Sequence, residues 1–244
     1  MMIFQKKSPF YLIIANMFLF SIIQCASASE INSHCDNIQI ISKELSMQEA
    51  EAYCQYAASE RAKVEAFWGP TWKEPIRIHV DSSYRVSRAL LMSFHGNRGF
   101  MEMPLRRVKN NDGALLHEIV HIYAPNSNRF LAEGIAVYLQ AKLGGNPAIP
   151  NFGKDLNILA RDIVPRFSSL EDLDNAQLAQ PTRKGTYLID ESVYIVSGSF
   201  VGFLIEKYGL AKFKNCYETG DYSKTYGKSL KLLDEEWRSW VQGN

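Results

Sequence analysis

His117 and His121 stand four residues apart, with Glu118 directly after the first, in the run Leu115-Leu116-His117-Glu118-Ile119-Val120-His121-Ile122-Tyr123-Ala124. On a helix, residues four apart share a face, so both imidazoles can point at one metal ion. Glu118 falls beside them, where a carboxylate can hold and deprotonate a water without binding the metal. Leu116, Ile119 and Val120 are apolar and would seat the helix in a core, the rigid support a metal site needs. With 5 His in 244 residues, a chance run of this kind has odds on the order of one in a hundred. The chemistry of such a set is hydrolysis. Zinc polarises a carbonyl and brings the pKa of water from about 15.7 toward 7, and the glutamate moves the proton.

Two imidazoles do not complete a catalytic zinc site, which takes three protein ligands and keeps a fourth position open. One completion places Gly and then His three and six residues after the second histidine. Here those positions hold Ala124 and Ser127, which excludes it. Another takes a Glu from the next helix. Pro125-Asn126-Ser127-Asn128 breaks the first helix and caps a second, in which Phe130-Leu131-Ala132-Glu133-Gly134-Ile135-Ala136 supplies the carboxylate. Gly134 and Ala136 are small and permit close packing there. The expected metal ligands are therefore His117, His121 and Glu133, holding one Zn2+ per chain, with Glu118 as general base.

The elements that must position these residues can be read along the chain. Residues 46 to 68 form an expected helix, with Ser46 as N-cap, Glu49 at the capping-box position and Gly69-Pro70 as the stop. Pro75 to Val80 alternates as a strand does, and Ala89 to Phe94 and Gly99 to Met103 are weaker strands around a turn at His95. Asn110-Asn111-Asp112 offers caps for a helix over 113 to 124, and the next helix runs from Arg129 to Leu143 before Gly144. Residues 145 to 190 carry four prolines and read as irregular, with a short helix near 154 to 162. A long helix follows from Glu191 to Tyr208, then helices over 210 to 217 and 228 to 241. Strands precede helices, so the expected fold class is α+β, with a small, mainly antiparallel sheet beside the helix pair and a helical C-terminal part.

The first 28 residues read as an export signal: Lys6 and Lys7, an apolar run from Phe10 to Ile23, then Ala26-Ser27-Ala28. That run is shorter than the roughly 18 to 20 residues of a spanning helix. An uncleaved anchor, or a lipid on Cys25, are the alternatives, and Gln24 fits a lipidation signal poorly. Residues 29 to 244 are then expected as one domain: an N-terminal helix region (29 to 70), the sheet and zinc helices (71 to 144), and the helical remainder. The signal holds two Lys and no acid, leaving 25 basic and 26 acidic residues. This balance gives no electrostatic footprint for nucleic acid. The expected place is the periplasm or the extracellular space, with no stable membrane insertion after cleavage. Export permits disulfides. Cys35 and Cys54 could close a short loop and Cys216 reads as a buried thiol, but spacing alone leaves the pairing open.

The sequence resembles the gluzincin superfamily of zinc metallopeptidases, and within it the compact peptidase MA-like domains. The matching pieces are His117-Glu118-x-x-His121, Leu131-Ala132-Glu133-Gly134-x-Ala136, Tyr194-x-x-Ser197-Gly198-Ser199-Phe200-Val201, Leu204 to Gly209, and Gly227-x-Ser229-Leu230 to Trp237. They cover roughly residues 75 to 242, and the first two are the specific ones. The resemblance implies a zincin-like fold, a peptide or protein substrate, and a role for Tyr194 as hydrogen-bond donor to the oxyanion, the alternative for that ring being core packing. The spacing from His121 to Glu133 is shorter than in thermolysin or the zinc aminopeptidases, so no specificity carries over. Gly99 to Met103, just ahead of the zinc helix, is expected to be an edge that pairs with an extended peptide. Two other readings use the same residues: a zinc-stabilised secreted binding domain without turnover, and a zinc hydrolase of a non-peptide amide such as a cell-wall link. The intact Glu118 argues against the first, because a closed structural site has no use for a base. His34 and His79 read as structural, His95 as a solvated loop residue, Asp112 as a helix cap, Glu102 as solvent-facing, and Arg129, Arg183 and Lys184 as exposed cations. Oligomeric state is open.

Overall fold

The computed structural model describes residues 29 to 90, 98 to 144, 146 to 175 and 191 to 243. The expected export signal, His95, Arg183 and Lys184 lie outside these.

The chain opens with a hairpin, β1 (Ile31–Cys35) and β2 (Ile38–Ser42), in register Cys35 to Ile38 and turned at Asp36, whose φ is 45°. No strand was expected here. The signal is the alternation of Ile38 and Ile40, both buried, with half-exposed neighbours. Helix α1 (Met47–Trp68) follows. Ser46 Oγ accepts from the Glu49 N–H and the Glu49 carboxylate accepts from the Ser46 N–H, the expected capping box. Ala50, Cys54, Ala57 and Val64 give α1 one fully buried face.

Strands β3 (Ile76–Asp81), β4 (Arg88–Leu90) and β5 (Phe100–Pro104) complete a sheet in the order β1-β2-β3-β5-β4. The α+β class holds, but the sheet is mixed rather than mainly antiparallel. β2 pairs with β3 and β3 with β5 in parallel, and only the outer pairs are antiparallel. For β2 and β3 the cause is α1, a crossover that returns the chain in the same direction; for β3 and β5 it is β4, which runs back between them in sequence and pairs outside β5. One face of the sheet is closed by Ile38, Ile40, Ile76, Ile78, Val80, Met101 and Met103, each at most 2% exposed. The Cys35–Cys54 disulfide ties β1 to α1, and Cys216 is buried and lies outside the disulfide.

Helices supply the rest: α2 (Leu105–Asn110), α3 (Leu115–Tyr123), α4 (Arg129–Leu143), α5 (Leu156–Ile163), a 3-10 turn (Val164–Arg166), α6 (Leu170–Asn175), α7 (Glu191–Tyr208), α8 (Leu210–Thr219), α9 (Tyr222–Tyr226) and α10 (Leu230–Gly243). α3 packs on α1 and α4, and α4 packs on α7. The aromatic stripe of α7 is core: Phe200 and Phe203 are fully buried, and Phe200 meets Trp237 edge-on at 6.1 Å. Trp237 Nε1 donates to Ser199 Oγ at 3.0 Å, which stitches α10 to α7. No described helix is long and apolar enough to cross a membrane.

The disulfide joins residues 19 apart in sequence. A loop of this length gives a stabilisation of about 3 kcal/mol by restricting the unfolded chain. Urea unfolding of the Cys35→Ala/Cys54→Ala variant should show a loss of that size, with the same cooperative transition; an unchanged midpoint would contradict the bond.

A candidate metal centre on two buried helices

Helix α3 has nine residues, and all nine are buried. A helix this short is not stable alone, and its ends leave backbone groups that must find partners. The expected caps do not provide them. Asn110 ends α2 instead, Asn111 closes it in the left-handed region at φ 55°, and the N-cap of α3 is Ala114, which has no side-chain acceptor. The reason is the extra helix α2, which uses those polar residues as its own stop. The partner comes from α4. Gln140, 4% exposed, accepts from the His117 N–H through Oε1 at 3.1 Å. His117 is the third residue of α3, the place an N-cap side chain normally serves. Gln140 lies seven residues after Glu133, two turns along the same face, so a buried amide in an apolar helix was the readable signal.

The C-terminal end is closed in the same way. Arg98 donates to Ile122 O at 3.1 Å, Thr71 to Tyr123 O at 2.5 Å, and Tyr217 to Ala124 O at 2.6 Å. α4 begins where expected, with Asn128 Oδ1 accepting from the Leu131 N–H at 3.0 Å.

These supports bring His117, His121 and Glu133 together, all buried. The two Nε2 atoms are 3.1 Å apart, and Glu133 Oε2 lies 3.2 Å from His117 Nε2 and 3.3 Å from His121 Nε2. Despite this closeness, Oε2 has no hydrogen-bond partner among the described residues. The three atoms aim at a common point rather than at each other. Tetrahedral zinc with bonds of about 2.0–2.1 Å spaces its ligand atoms about 3.3–3.4 Å apart, so the triangle fits the ion, and two imidazoles with one carboxylate are the donors it takes. The remaining oxygen of Glu133 accepts from Arg129 Nη2 at 3.0 Å. Arg129 is thus not a free surface cation; it fixes the carboxylate so that Oε2 faces the histidines.

Electrostatics follow from this contact. Burial disfavours a charged His121, but the Glu133 carboxylate outweighs it and raises the pKa of the imidazole. Burial likewise pushes Glu133 up, while His121 and then His117 pull it well below the usual carboxylate range.

Glu118 lies next to the trio, buried, and its Oε2 accepts from the Ala89 N–H at 2.7 Å. Ala89 is in β4, the outermost strand, so the expected edge is one strand off. β5 is paired on both sides, and β4 presents the free edge to the site. β5 is interior because β4, inserted before it in sequence, pairs outside it. Tyr194 of α7 stands with its ring centre 6.3 Å from that of His117. Burial, with the charge of Glu133, raises its phenol pKa, so it stays a donor. His117, Glu118 and Tyr194 line one cleft. His34, His79 and Asp112 have no part in the trio. Glu102 is paired with Arg88 rather than facing solvent.

α4 and α7 approach through glycines. A methyl on Gly134 would meet Val201 Cγ2 at 2.6 Å and Ser197 O at 2.8 Å. Gly134→Ala in an open helix would stabilise by about 1 kcal/mol. Here it should destabilise by about 1–3 kcal/mol through overpacking, read by urea unfolding; a more stable variant would contradict the seam beside Glu133.

Solved structures that share this fold are zinc metallopeptidases. An M1 zinc metallopeptidase of Deinococcus radiodurans, an alanine mutant bound to a Tyr-Ser-Ala substrate, matches with a TM-score of 0.50 and 16% identity over 85% of this chain and 51% of that one. A two-domain M1 zinc metallopeptidase mutant bound to L-arginine matches with a TM-score of 0.50 and 16% identity, over 87% of this chain and 51% of that one. The chain therefore spans about half the length of the structures it resembles, and at this identity the likeness is one of fold. No family model and no curated protein matches the sequence.

Proposed function

We propose that this chain is an exported zinc metallopeptidase in which His117, His121 and Glu133 hold one zinc ion and Glu118 is the general base. The observation that carries the reading is the triangle of donor atoms, 3.1, 3.2 and 3.3 Å on its sides, with a buried carboxylate oxygen that has no hydrogen-bond partner among the described residues. Groups this close and this dry are expected to hold a cation. Zinc, when bound, supplies Lewis-acid polarisation of a carbonyl and acidifies water.

The chain's own residues do the rest. The Ala89 N–H holds one oxygen of Glu118, which orients the carboxylate toward the cleft. Glu118 takes a proton from the attacking water as its oxygen bonds to the carbonyl carbon, and returns that proton to the nitrogen as the carbon–nitrogen bond breaks. Tyr194, kept protonated, donates to the oxyanion that forms. With the Ala89 N–H taken by Glu118, the remaining outward backbone groups of β4 are where an extended peptide would pair. A peptide substrate is also supported by the Tyr-Ser-Ala complex of the Deinococcus radiodurans peptidase.

The purified wild type should carry about one zinc per chain, and His117→Ala should carry none. Glu118→Gln should keep the metal and lose turnover of a peptide library by about 10²–10⁴-fold; undiminished activity would refute the base assignment. Absence of zinc after reconstitution would leave a binding domain instead of an enzyme. Tyr194→Phe should lower kcat by about 10²–10³-fold with zinc content and KM little changed, and an unchanged kcat would return Tyr194 to a packing role.

A further inference from the structure

The cleft beside His117 and Glu118 contains an arginine that the mechanism does not use. Arg107, from the last turn of α2, lines it together with Val86, Ile149 and Pro150. Its Nε is buried and has no hydrogen-bond partner among the described residues, nor does its guanidinium join any ion pair there. The other arginines around the site are engaged. Arg129 holds Glu133 and Arg88 holds Glu102; Arg98 also has an unpartnered Nε, but its Nη2 donates to Ile122 O and it lies 4.7 Å from the ring centre of Trp72, whereas no nitrogen of Arg107 has a partner among the described residues.

A desolvated guanidinium N–H without a partner is costly, so its partner is expected from outside the chain. The planar fork of arginine matches a carboxylate, which it binds by paired charge-assisted hydrogen bonds. The neighbouring walls are apolar: Val86 is 58% and Ile149 36% exposed, both at the cleft. Among the described residues the cleft holds about 180 Å³, below the roughly 300–1,000 Å³ of pockets for drug-sized ligands. It suits one residue of a chain, with an apolar part against Val86 and Ile149 and an anionic end at Arg107.

We propose that Arg107 binds a substrate carboxylate that lies within a residue or two of the bond cleaved. This rests on the peptidase reading above. Two sources supply the same chemistry, a free C-terminus or an Asp or Glu side chain.

The test is calorimetric binding to zinc-loaded Glu118→Gln protein, which should not turn over. The probes are N-acetyl-Ala-Phe as free acid and as amide, and N-acetyl-Ala-Glu-amide beside N-acetyl-Ala-Gln-amide. One acid should bind about 10- to 100-fold tighter than its neutral partner. The first pair responding assigns the terminus, and the second the side chain. Adding Arg107→Ala should bring that ratio to about one while the affinity for the neutral probe stays the same; Arg107→Lys should keep part of it. Arg107→Met retains the aliphatic stem and replaces the alanine variant if that one melts early. Equal binding in both pairs, a preference that survives loss of Arg107, or no binding of any probe would overturn the assignment. Cleavage of peptides with no preference for an acid sinks the role of Arg107 alone. Arg107-dependent binding of one of these acids by a protein that cleaves no peptide sinks the peptidase reading alone.

Discussion

Three polar atoms from two helices have to stand just over 3 Å apart with almost no water around them. Lone pairs of two neutral imidazoles and a carboxylate turned toward one point repel unless a cation or proton is held between them, and burial sharpens the cost. The rest of the structure supports that arrangement. α3 is short and wholly buried, so its position is set by packing on α1 and α4 and by side chains at both ends. α4 is set against α7 through glycines whose replacement by a larger residue would push Val201 or Val137 away. Arg129 then removes the last freedom of Glu133, by occupying the oxygen that does not face the histidines.

Local signals in the sequence were sufficient wherever the determining contact is also local. The capping box of Ser46 and Glu49 and the Asn128 cap of α4 are near-neighbour interactions, and both were legible. So were the histidine spacing on α3 and the break before α4. The errors share a different cause. The hairpin of β1 and β2 is a pair of five-residue strands whose stability depends on β3 and α1, and short strands carry little signal by themselves. The caps of α3 come from Arg98, Thr71, Tyr217 and Gln140, none of which adjoins it in sequence. Asn110 to Asp112 looked like a cap because the helix before it, only six residues long, was not recognised. Edge position is likewise a property of pairing: β4 precedes β5 in the chain yet lies outside it.

The site joins rigid and open elements. Its donors sit on helices, where side-chain direction is fixed by packing. Its mouth is formed by the residues just before β4, by α2 and by the segment around Ile149, and there the exposed apolar side chains Val86 and Ile149 occur. Glu118 links the two, since it belongs to the buried helix and is hydrogen-bonded to the edge strand. A displacement of β4 on binding would therefore be felt at the carboxylate before it was felt at the histidines.

The caps of α3 also determine when the centre can exist during synthesis. The bonds that close the helix span 23, 24, 52 and 93 residues. The longest reaches Tyr217, in α8. A nascent chain still lacking α7 and α8 has the two histidines and the glutamate but neither the seam that seats α4 nor the hydroxyl that closes Ala124. Contacts so distant in sequence form late in folding. The close approach of His117, His121 and Glu133 thus depends on α7 and α8, and a copy lacking those helices has the same three residues without the supports that bring them together.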